Sequence, residues 1–392
     1  MVDALPTTRD AKCPFDPPGE LARIRESNPL SRMKYPNGHI GWLATDRANV
    51  RAVLSDPRFS ARPELMNMPM PGSTGTEQPP PAQPGDFISM DAPHHSRYRR
   101  LLTGQFTVRR MRTLTERLGR ITAGQLDEME RDGPVADLVQ AFARPVPALM
   151  ICELLGVPYE DREMFQTDAE LITGASAPTE DFFASYRRLQ EFLLELVRAK
   201  RVTPGDDMLS GLTTSDLTDE ELGNIAVNLL GAGLATTSTM LTLGTLVLLR
   251  QPEQLAAMRA DPDRAIEELL RYLSIVPLLV RVAIEDVELD GHLVKAGESV
   301  TVSIEAANRD PRQFTDPDVL DLRRTGGGHV AFGHGVHQCL GQQLARIEMR
   351  VAFRGLFDRF PKLRLAVAFE ELRVKPGLTF DVHELPVAWD MP

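Results

Sequence analysis

The sequence predicts a mostly α-helical protein with a minor β-sheet region, an α+β fold in a single domain over residues 1–392. Helical periodicity dominates the chain, and strand patterns are confined to two places. One uncharged stretch, residues 224–249, is long enough to cross a whole domain as a single helix. With 42% hydrophobic and 25% charged residues, the chain is long enough to bury a substantial core.

The helical patterns follow one another along the chain. The first four contain DRANVRAVLSD, HHSRYRRLLTGQF, RMRTLTERLGRITAGQLDEMERD and FASYRRLQEFLLELVRAKR. Thr218 and Glu221 have the spacing of a capping box, so the longest helix is predicted to begin there and to end near Arg250. Later helices are predicted at 252–260, 263–273 and about 340–360.

Strand patterns occur at 39–45 and 280–304, which are predicted to pair, and in the C-terminal segments KLRLAVAF and LRVKPGLTFDVHELPVAW, which resemble short hairpins. Residues 66–87 are rich in proline, glycine and methionine. Because helical pattern resumes on both sides, this segment is predicted to be a loop rather than a linker between domains.

Charge and cysteine content exclude several classes of protein. The formal net charge of -11 argues against a nucleic-acid partner. Three widely spaced cysteines, at 13, 152 and 339, fit no disulfide framework and suit a reducing cytoplasm. The stretch 224–249 has the length of a membrane span, but its asparagines and its hydroxyl run, Thr236 to Thr239, favour a buried helix of a cytoplasmic protein without a membrane segment.

The segment FGHGVHQCLG, residues 332–341, places a cysteine among glycines and histidines. One interpretation is a glycine-rich turn with a buried cysteine. A second is a zinc site that uses His334, His337 and Cys339. A third is a heme ligand, since the glycines would let the backbone approach a flat macrocycle, and a helix N-terminus would stabilise the Cys339 thiolate.

The same segment closely resembles the heme-binding signature of the cytochrome P450 superfamily, and the similarity extends over nearly the whole chain, most clearly to bacterial members. The resemblance implies heme b (iron protoporphyrin IX) as cofactor and Cys339 as its axial ligand, with the long helix over the heme and the cysteine loop on the opposite face. It also implies that Phe332, Gly333 and Gly341 lie against the heme.

Further motifs carry the same resemblance. Glu268 and Arg271 are one helical turn apart, as in the Glu-Arg pair that is structural in this family. The family pattern further implies that four basic residues bind the heme propionates. These residues are His95, Arg99, Arg281 and His337.

The segment GAGLATT resembles the oxygen-binding motif of the family's long helix. Ala232, Gly233 and Thr236 match that motif, and Thr236 would supply the hydroxyl on the oxygen side. Ala235 departs from it, because the family usually has an acid at this position. Close helix packing is an alternative explanation for the small residues.

The resemblance implies a monooxygenase that hydroxylates or epoxidises a bulky, mostly apolar small molecule in bacterial secondary metabolism. Dioxygen and electrons from NAD(P)H through ferredoxin and its reductase would be required, and we expect a monomer. Alternatives are a non-catalytic heme sensor and a heme-thiolate enzyme for oxidative coupling or peroxide-driven oxidation. The substrate contacts that the resemblance implies are Leu234, Val276, Leu278, Leu279, Leu378 and Phe380.

Arginines crowd two segments that the family places on the cysteine side of the heme, which predicts a positive face for an acidic ferredoxin. They are Arg100, Arg109, Arg110, Arg112, Arg117, Arg346 and Arg350.

Overall fold

The computed structural model describes residues 1–10, 13–70, 73, 79–173, 179–375 and 381–390. Helices dominate these ranges, as the sequence predicts. The α-helices are α1 (Gly19–Ser27), α2 (Arg47–Ser55), α3 (His94–Thr103), α4 (Val108–Asp132), α5 (Pro145–Leu155), α6 (Arg162–Thr173), α7 (Thr179–Val202), α8 (Met208–Leu212), α9 (Asp219–Arg250), α10 (Leu255–Ala260), α11 (Pro262–Leu273), α12 (Ile304–Ala307) and α13 (Gln342–Arg359).

The strands form a larger sheet and two small ones. The strands are β1 (Leu30–Lys34), β2 (Ile40–Ala44), β3 (Phe59–Ser60), β4 (Val135–Asp137), β5 (Leu278–Ala283), β6 (Val287–Leu289), β7 (His292–Val294), β8 (Ser299–Ser303), β9 (Arg364–Leu365) and β10 (Pro386–Ala388). The larger sheet has the order β1-β2-β8-β5-β3, and β2 pairs with β8 in parallel. The predicted pairing of the segments 39–45 and 280–304 is therefore confirmed.

Helix α9 is the central helix, and its start follows from the capping box. The Thr218 side chain accepts from the Glu221 amide, and the Glu221 side chain accepts from the Thr218 amide. Beyond this cap, α9 packs against α5, α7 and α13. Among the described helices it alone has the length and composition of a membrane span, but 61% of its most apolar window is buried inside the protein. The buried-helix interpretation accounts for that composition.

The fold contains elements that the sequence analysis does not predict, among them α5 and the pairing of the C-terminal strands. Most side chains of helix α5 are apolar and buried in the main core. Because the helix lacks a polar face, its sequence shows no amphipathic period that would predict it. The C-terminal strands do not form a simple local hairpin. Strand β10 pairs with both β9 and the distant β4, while Val374 and Val382 form an isolated antiparallel bridge.

Helix α13 carries a buried carboxyl group. Glu348 of α13 is 4% exposed, and its Oε2 atom has no hydrogen-bond partner in the described part of the chain. Burial raises the pKa of this carboxyl to about 8. The group is therefore protonated and neutral at neutral pH, since an isolated buried charge would be costly.

Replacing Glu348 by glutamine is expected to remove a loss of stability at alkaline pH. The folded pKa of about 8 lies above the ordinary value of 4.5. The stability that the protonated carboxyl permits is thus fully present below the ordinary value and is lost as pH rises through the folded pKa. Urea unfolding between about pH 5 and pH 9 should show Glu348→Gln gaining about 2–4 kcal/mol over the parent. The same replacement at the exposed Glu370 should show no trend, and parallel curves for Glu348→Gln would contradict the assignment.

Candidate active site

The cysteine loop is shaped by two glycines that adopt positive φ angles. Gly333 has φ +71° and Gly335 has φ +74°. At Gly335 a Cβ atom would lie 2.2 Å from the Leu54 carbonyl oxygen, so no other residue fits against the end of α2. The loop is closed by a hydrogen bond of 2.9 Å from the Cys339 amide to the Phe332 carbonyl. These constraints hold Cys339 at the entry to α13.

The Cys339 thiol is half-buried and faces several positive groups. Burial raises its pKa, whereas the amides of Gly341 and Gln342 and the charges of Arg99 and Arg346 act in the opposite direction. The helix N-terminus therefore contributes as expected from the sequence, but it does not outweigh burial in the protein alone. A metal ion at the sulfur would supply the missing charge and release the proton.

The four predicted basic residues are brought together around Cys339. His95 and Arg281 are buried, and the rings of His95 and His337 stack with their centroids 4.0 Å apart. Arg281 donates to the adjacent Val280 carbonyl at 2.8 Å. Neither Arg281 nor Arg99 forms an ion pair within the described residues.

Burial lowers the pKa of each basic group, and neighbouring positive charges add to the effect at the two histidines. Burial and then the neighbouring His95 and Arg281 lower the pKa of His337 to about 3, and burial lowers the pKa of Arg281 to about 10. The pKa of His95 is lowered by burial and by Arg99. Asp91 opposes these shifts, but it is engaged by the Ala61 amide and the Ser60 hydroxyl. The group thus retains an excess of positive charge.

The residues present fit a heme. Two buried or half-buried arginines without carboxylate partners need anions, and the two carboxylates of a protoporphyrin would meet that need. A cysteine at a helix N-terminus is a suitable iron ligand. The Phe332 ring is held below the Arg346 guanidinium, whose carbon lies 4.6 Å from the ring centroid, and Gly341 caps α13 two residues after Cys339.

The zinc interpretation finds no support in this geometry. Within the described ranges, no group of three or more His, Cys, Asp or Glu side chains could hold a metal ion. The His337 ring stacks on His95. Among the described residues, His334, His337 and Cys339 therefore do not form the compact group of ligands that the zinc interpretation requires.

The predicted Glu-Arg pair is a buried anchor. Arg271 donates to Glu268 through two nitrogens, at 2.7 and 2.8 Å, and the side chains are only 2% and 3% exposed. Arg271 also donates to the carbonyls of Asn308 and Pro317, at 2.9 and 2.7 Å. Arg324 adds a second cation on Glu268. The pair thereby fixes the segment that leads to the cysteine loop.

Two residues of this anchor could not be recognised from the sequence. Asn308 accepts from the Val330 amide at 2.7 Å and so holds the start of the cysteine loop. Glu267 accepts from Arg346 and contacts His329. Burial opposes ionisation of Glu267, but these two partners lower its pKa to about 2. Both contacts span more than 20 residues, so no local pattern signals them.

One face of α9 is open. Ala232, Ala235, Thr236 and Thr239 are only partly buried or exposed, and their spacing places them on one side of the helix. The Thr236 hydroxyl donates to the Ala232 carbonyl at 2.7 Å. Ala235 brings no carboxylate to this face, as the sequence indicates.

The other small and apolar positions of this motif face elsewhere. At Gly233 a Cβ atom would lie 2.7 Å from Cδ1 of Ile151, so this glycine permits close packing of α9 on α5. Leu234 is 2% exposed and belongs to the main core. Its assignment as a substrate contact stays a prediction.

The remaining substrate positions divide into two sets. Val276, Leu278 and Leu279 belong to the half-buried segment 275–279, and Leu279 lies 3.8 Å from the position a Gly333 Cβ would take. This contact brings the start of β5 to the cysteine loop. Leu378 and Phe380 lie outside the described residues.

Comparison with known proteins adds independent findings. The sequence model of the family described as Cytochrome P450 matches residues 262–363, which include the Glu-Arg pair and the cysteine loop. Cytochrome P450 105C1 of Streptomyces sp is 48% identical over 96% of this chain and 96% of the relative. Pentalenic acid synthase of Streptomyces avermitilis is 43% identical over 97% of this chain and 96% of the relative.

Solved structures are similar over the full length. The structure of CYP105P1 in complex with filipin I has a TM-score of 0.91 and 40% identity, and it covers 100% of both chains. Both sequence and fold therefore agree with these relatives from end to end.

Proposed function

The chain belongs to the cytochrome P450 family and is a monooxygenase of it, and from this premise we propose that its substrate is a bulky, mostly apolar small molecule. We propose hydroxylation or epoxidation of a secondary metabolite, in the cytoplasm, by a monomer that receives electrons from NAD(P)H through ferredoxin and its reductase. The observation that carries the proposal is the uncompensated positive cluster around Cys339, together with the open face of α9 that includes Ala232 and Ala235. A relative named pentalenic acid synthase and a relative solved in complex with filipin I support this class of substrate.

Each part of the site has a distinct role in this proposal. Cys339 would be the iron ligand, and His95, Arg99, Arg281 and His337 would hold the heme carboxylates. When bound, a thiolate-ligated heme supplies the activation of dioxygen that lets one oxygen atom enter the substrate. The glycine-rich loop would keep side chains away from the macrocycle on the cysteine side.

The open face of α9 is proposed to receive dioxygen and part of the substrate. Ala232 and Ala235 leave space there, because their side chains end at Cβ. Val276, Leu278 and Leu279 add an apolar wall, which would orient a hydrophobic substrate and exclude water. The chemistry of this lining favours macrolide and other polyketide, terpenoid or peptide products over small polar ones.

Thr236 is proposed to take part in a proton relay at this face. Its Oγ1 atom donates to the Ala232 carbonyl and can still accept from a water molecule or from a hydroxyl of the substrate. Ala235 cannot donate a proton or order a water. The relay would therefore depend on Thr236, ordered water and the substrate itself.

Replacing Thr236 by alanine is expected to divert electrons from product to hydrogen peroxide. The substitution removes the hydroxyl but little volume, so substrate binding should be largely unchanged. Coupling, the share of NAD(P)H electrons recovered in product, should fall at least about 10-fold, since proton delivery by a positioned group typically contributes about 100-fold or more to a rate. Thr237→Ala is the matched control, because Thr237 is buried on another side of α9. Equal coupling in Thr236→Ala and the parent would place the relay elsewhere.

The arginines of the proposed ferredoxin face are not all equally available to a partner. Four of its seven arginines are engaged within the protein: Arg110 with Gln105, Arg117 with Glu153, Arg346 with Glu267 and Arg350 with Asp263. The remaining three, Arg100, Arg109 and Arg112, form no ion pair in the described part of the chain. We therefore assign the free positive charge of this face to α3 and the start of α4.

The double substitution Arg109→Glu with Arg112→Glu is expected to slow reduction by an acidic ferredoxin about 10-fold or more at low salt, because steering charges act mainly on association. Rising ionic strength should slow the parent and leave the variant nearly unaffected. Arg187→Glu with Arg198→Glu on α7 changes the net charge equally and serves as the control. Salt-independent reduction of the parent would count against this face.

The experiment that tests the function is an isotope measurement. Purified protein is supplied with ferredoxin, its reductase, NADPH and labelled dioxygen, and apolar small molecules are first selected by their effect on the heme absorption spectrum. Incorporation of one labelled oxygen atom into a product supports the proposal. Binding without turnover would favour a sensor, and turnover with peroxide but not with NADPH would favour a peroxide-driven enzyme.

A further inference from the structure

Glu221 lies in the first turn of α9 and is the meeting point of several hydrogen bonds. Its Oε1 atom accepts from the Tyr98 hydroxyl and from Nη1 of Arg97, both at 2.6 Å, and its Oε2 atom accepts from the Thr218 amide at 2.7 Å. The residue is only 8% exposed. Hydrogen bonds to a carboxylate at a helix N-terminus are strong, so this residue joins α3 firmly to α9.

The end of the loop that precedes α3 rests on the same point. Gly85 has φ +91°, and a Cβ atom there would lie 2.3 Å from the Glu221 carbonyl oxygen. Asn224 donates to the Pro84 carbonyl at 2.8 Å, and Asn228 donates to the Gly85 carbonyl at 3.4 Å. Pro84 and Gly85 therefore lie directly on the first three turns of α9, and only glycine fits at the closest contact.

A continuous path leads from this loop end into α3. Gly85 packs on the Glu221 carbonyl, and the Glu221 side chain accepts from the Tyr98 hydroxyl of α3. Tyr98 is 3% exposed and is followed directly by Arg99, whose charge acts on Cys339. His95 lies one helical turn before Tyr98, on the same helix. The side chain that binds Glu221 thus belongs to the helix that carries two of the four basic groups.

We propose that Tyr98 and Glu221 are positioning residues that couple residues 84–87 to helix α3. A molecule that displaces or orders residues 84–87 would shift Gly85, and the Gly85–Glu221–Tyr98 path would transmit that shift to His95 and Arg99. This inference rests on the proposed function, since it takes residues 84–87 as part of the substrate side and α3 as part of the heme side. It assigns a role to a capping residue that the oxygen chemistry does not use.

The test measures the coupling by hydrogen–deuterium exchange of the heme-loaded protein. The probe is 4-phenylimidazole, a bulky iron ligand that must occupy the space above the heme. In the parent, the probe should slow amide exchange both in residues 84–87 and in α3. In Tyr98→Phe, protection of residues 84–87 should persist while protection of α3 falls about two-fold or more, because the connecting hydroxyl is gone.

Matched variants separate coupling from a general loss of stability. Tyr35→Phe removes another buried tyrosine hydroxyl, which lies 2.8 Å from Thr301 Oγ1 and outside this network, so its α3 protection should match the parent. Glu221→Gln keeps an acceptor for Tyr98 but loses the charge, and it should give an intermediate result. If Tyr98→Phe does not fold, Glu221→Gln decides alone.

Three outcomes would overturn the proposal. The first is that the probe does not protect α3 in the parent. The second is that α3 is protected as strongly in Tyr98→Phe as in the parent, or in Glu221→Gln if Tyr98→Phe does not fold, and the third is that Tyr35→Phe loses as much α3 protection as Tyr98→Phe. Failure of the proposed function is recognised separately, because it would appear as the absence of a thiolate spectrum in the parent protein.

Discussion

Replacing Cys339 by serine is expected to abolish the thiolate spectrum of the ferrous carbon monoxide complex and to reduce product formation below detection. The loop closed by the hydrogen bond between Cys339 and Phe332 presents one sulfur to the positive cluster, and no second cysteine lies in that loop. A serine hydroxyl is a poor donor to heme iron and cannot push electron density as a thiolate does. The spectrum and the heme content are measured on the purified variant.

The two other cysteines provide matched controls. Cys152 is fully buried, and burial raises the pKa of its thiol to about 12, so it is an inert core residue. Cys13 is half-buried, and burial and the nearby Asp16 raise the pKa of its thiol. Cys13→Ser and Cys152→Ser should therefore keep the spectrum. A thiolate signal that survives in Cys339→Ser would move the ligand to another residue.

Arg271→Met is expected to lower the free energy of unfolding by about 3–5 kcal/mol, because it leaves Glu268 buried with one cation fewer. The variant should also lose bound heme. Arg271 donates to the Asn308 carbonyl, and the Asn308 side chain holds the Val330 amide at the start of the cysteine loop. Urea unfolding and the heme-to-protein ratio measure the two effects.

An exposed pair on the same helix is the control for that prediction. Arg264 contacts Asp261 with the same spacing of three residues, but both side chains are 46% exposed. Arg264→Met should cost less than about 1 kcal/mol and leave the heme content unchanged. A similar loss in both variants would mean that burial of the Glu268–Arg271 pair has no special role.

The elements with strong periodicity could be predicted from the sequence. The capping box at Thr218 and Glu221 predicts the start of α9, and helical periodicity predicts α11 and α13. Helix α5 could not be predicted, because a helix that is apolar on all sides has no amphipathic period in its sequence. The pairing of β10 with β4 could not be predicted either, because the two strands are about 250 residues apart.

The site was predictable where residue type alone carries the chemistry. His95, Arg281 and His337 act on one another's charge, and Glu268 pairs with Arg271, as the resemblance implies. Sequence reasoning could not show which arginines are already paired, since Arg346 meets Glu267 across 79 residues. It also could not show that Leu234 turns into the core, because that depends on which neighbours surround α9.

The ferrous carbon monoxide spectrum of the purified, heme-loaded protein tests the central claim most directly. The account predicts a strongly red-shifted Soret band, because the Cys339 thiolate would be the ligand opposite carbon monoxide. A spectrum typical of histidine ligation, or the absence of bound heme after reconstitution, would contradict it.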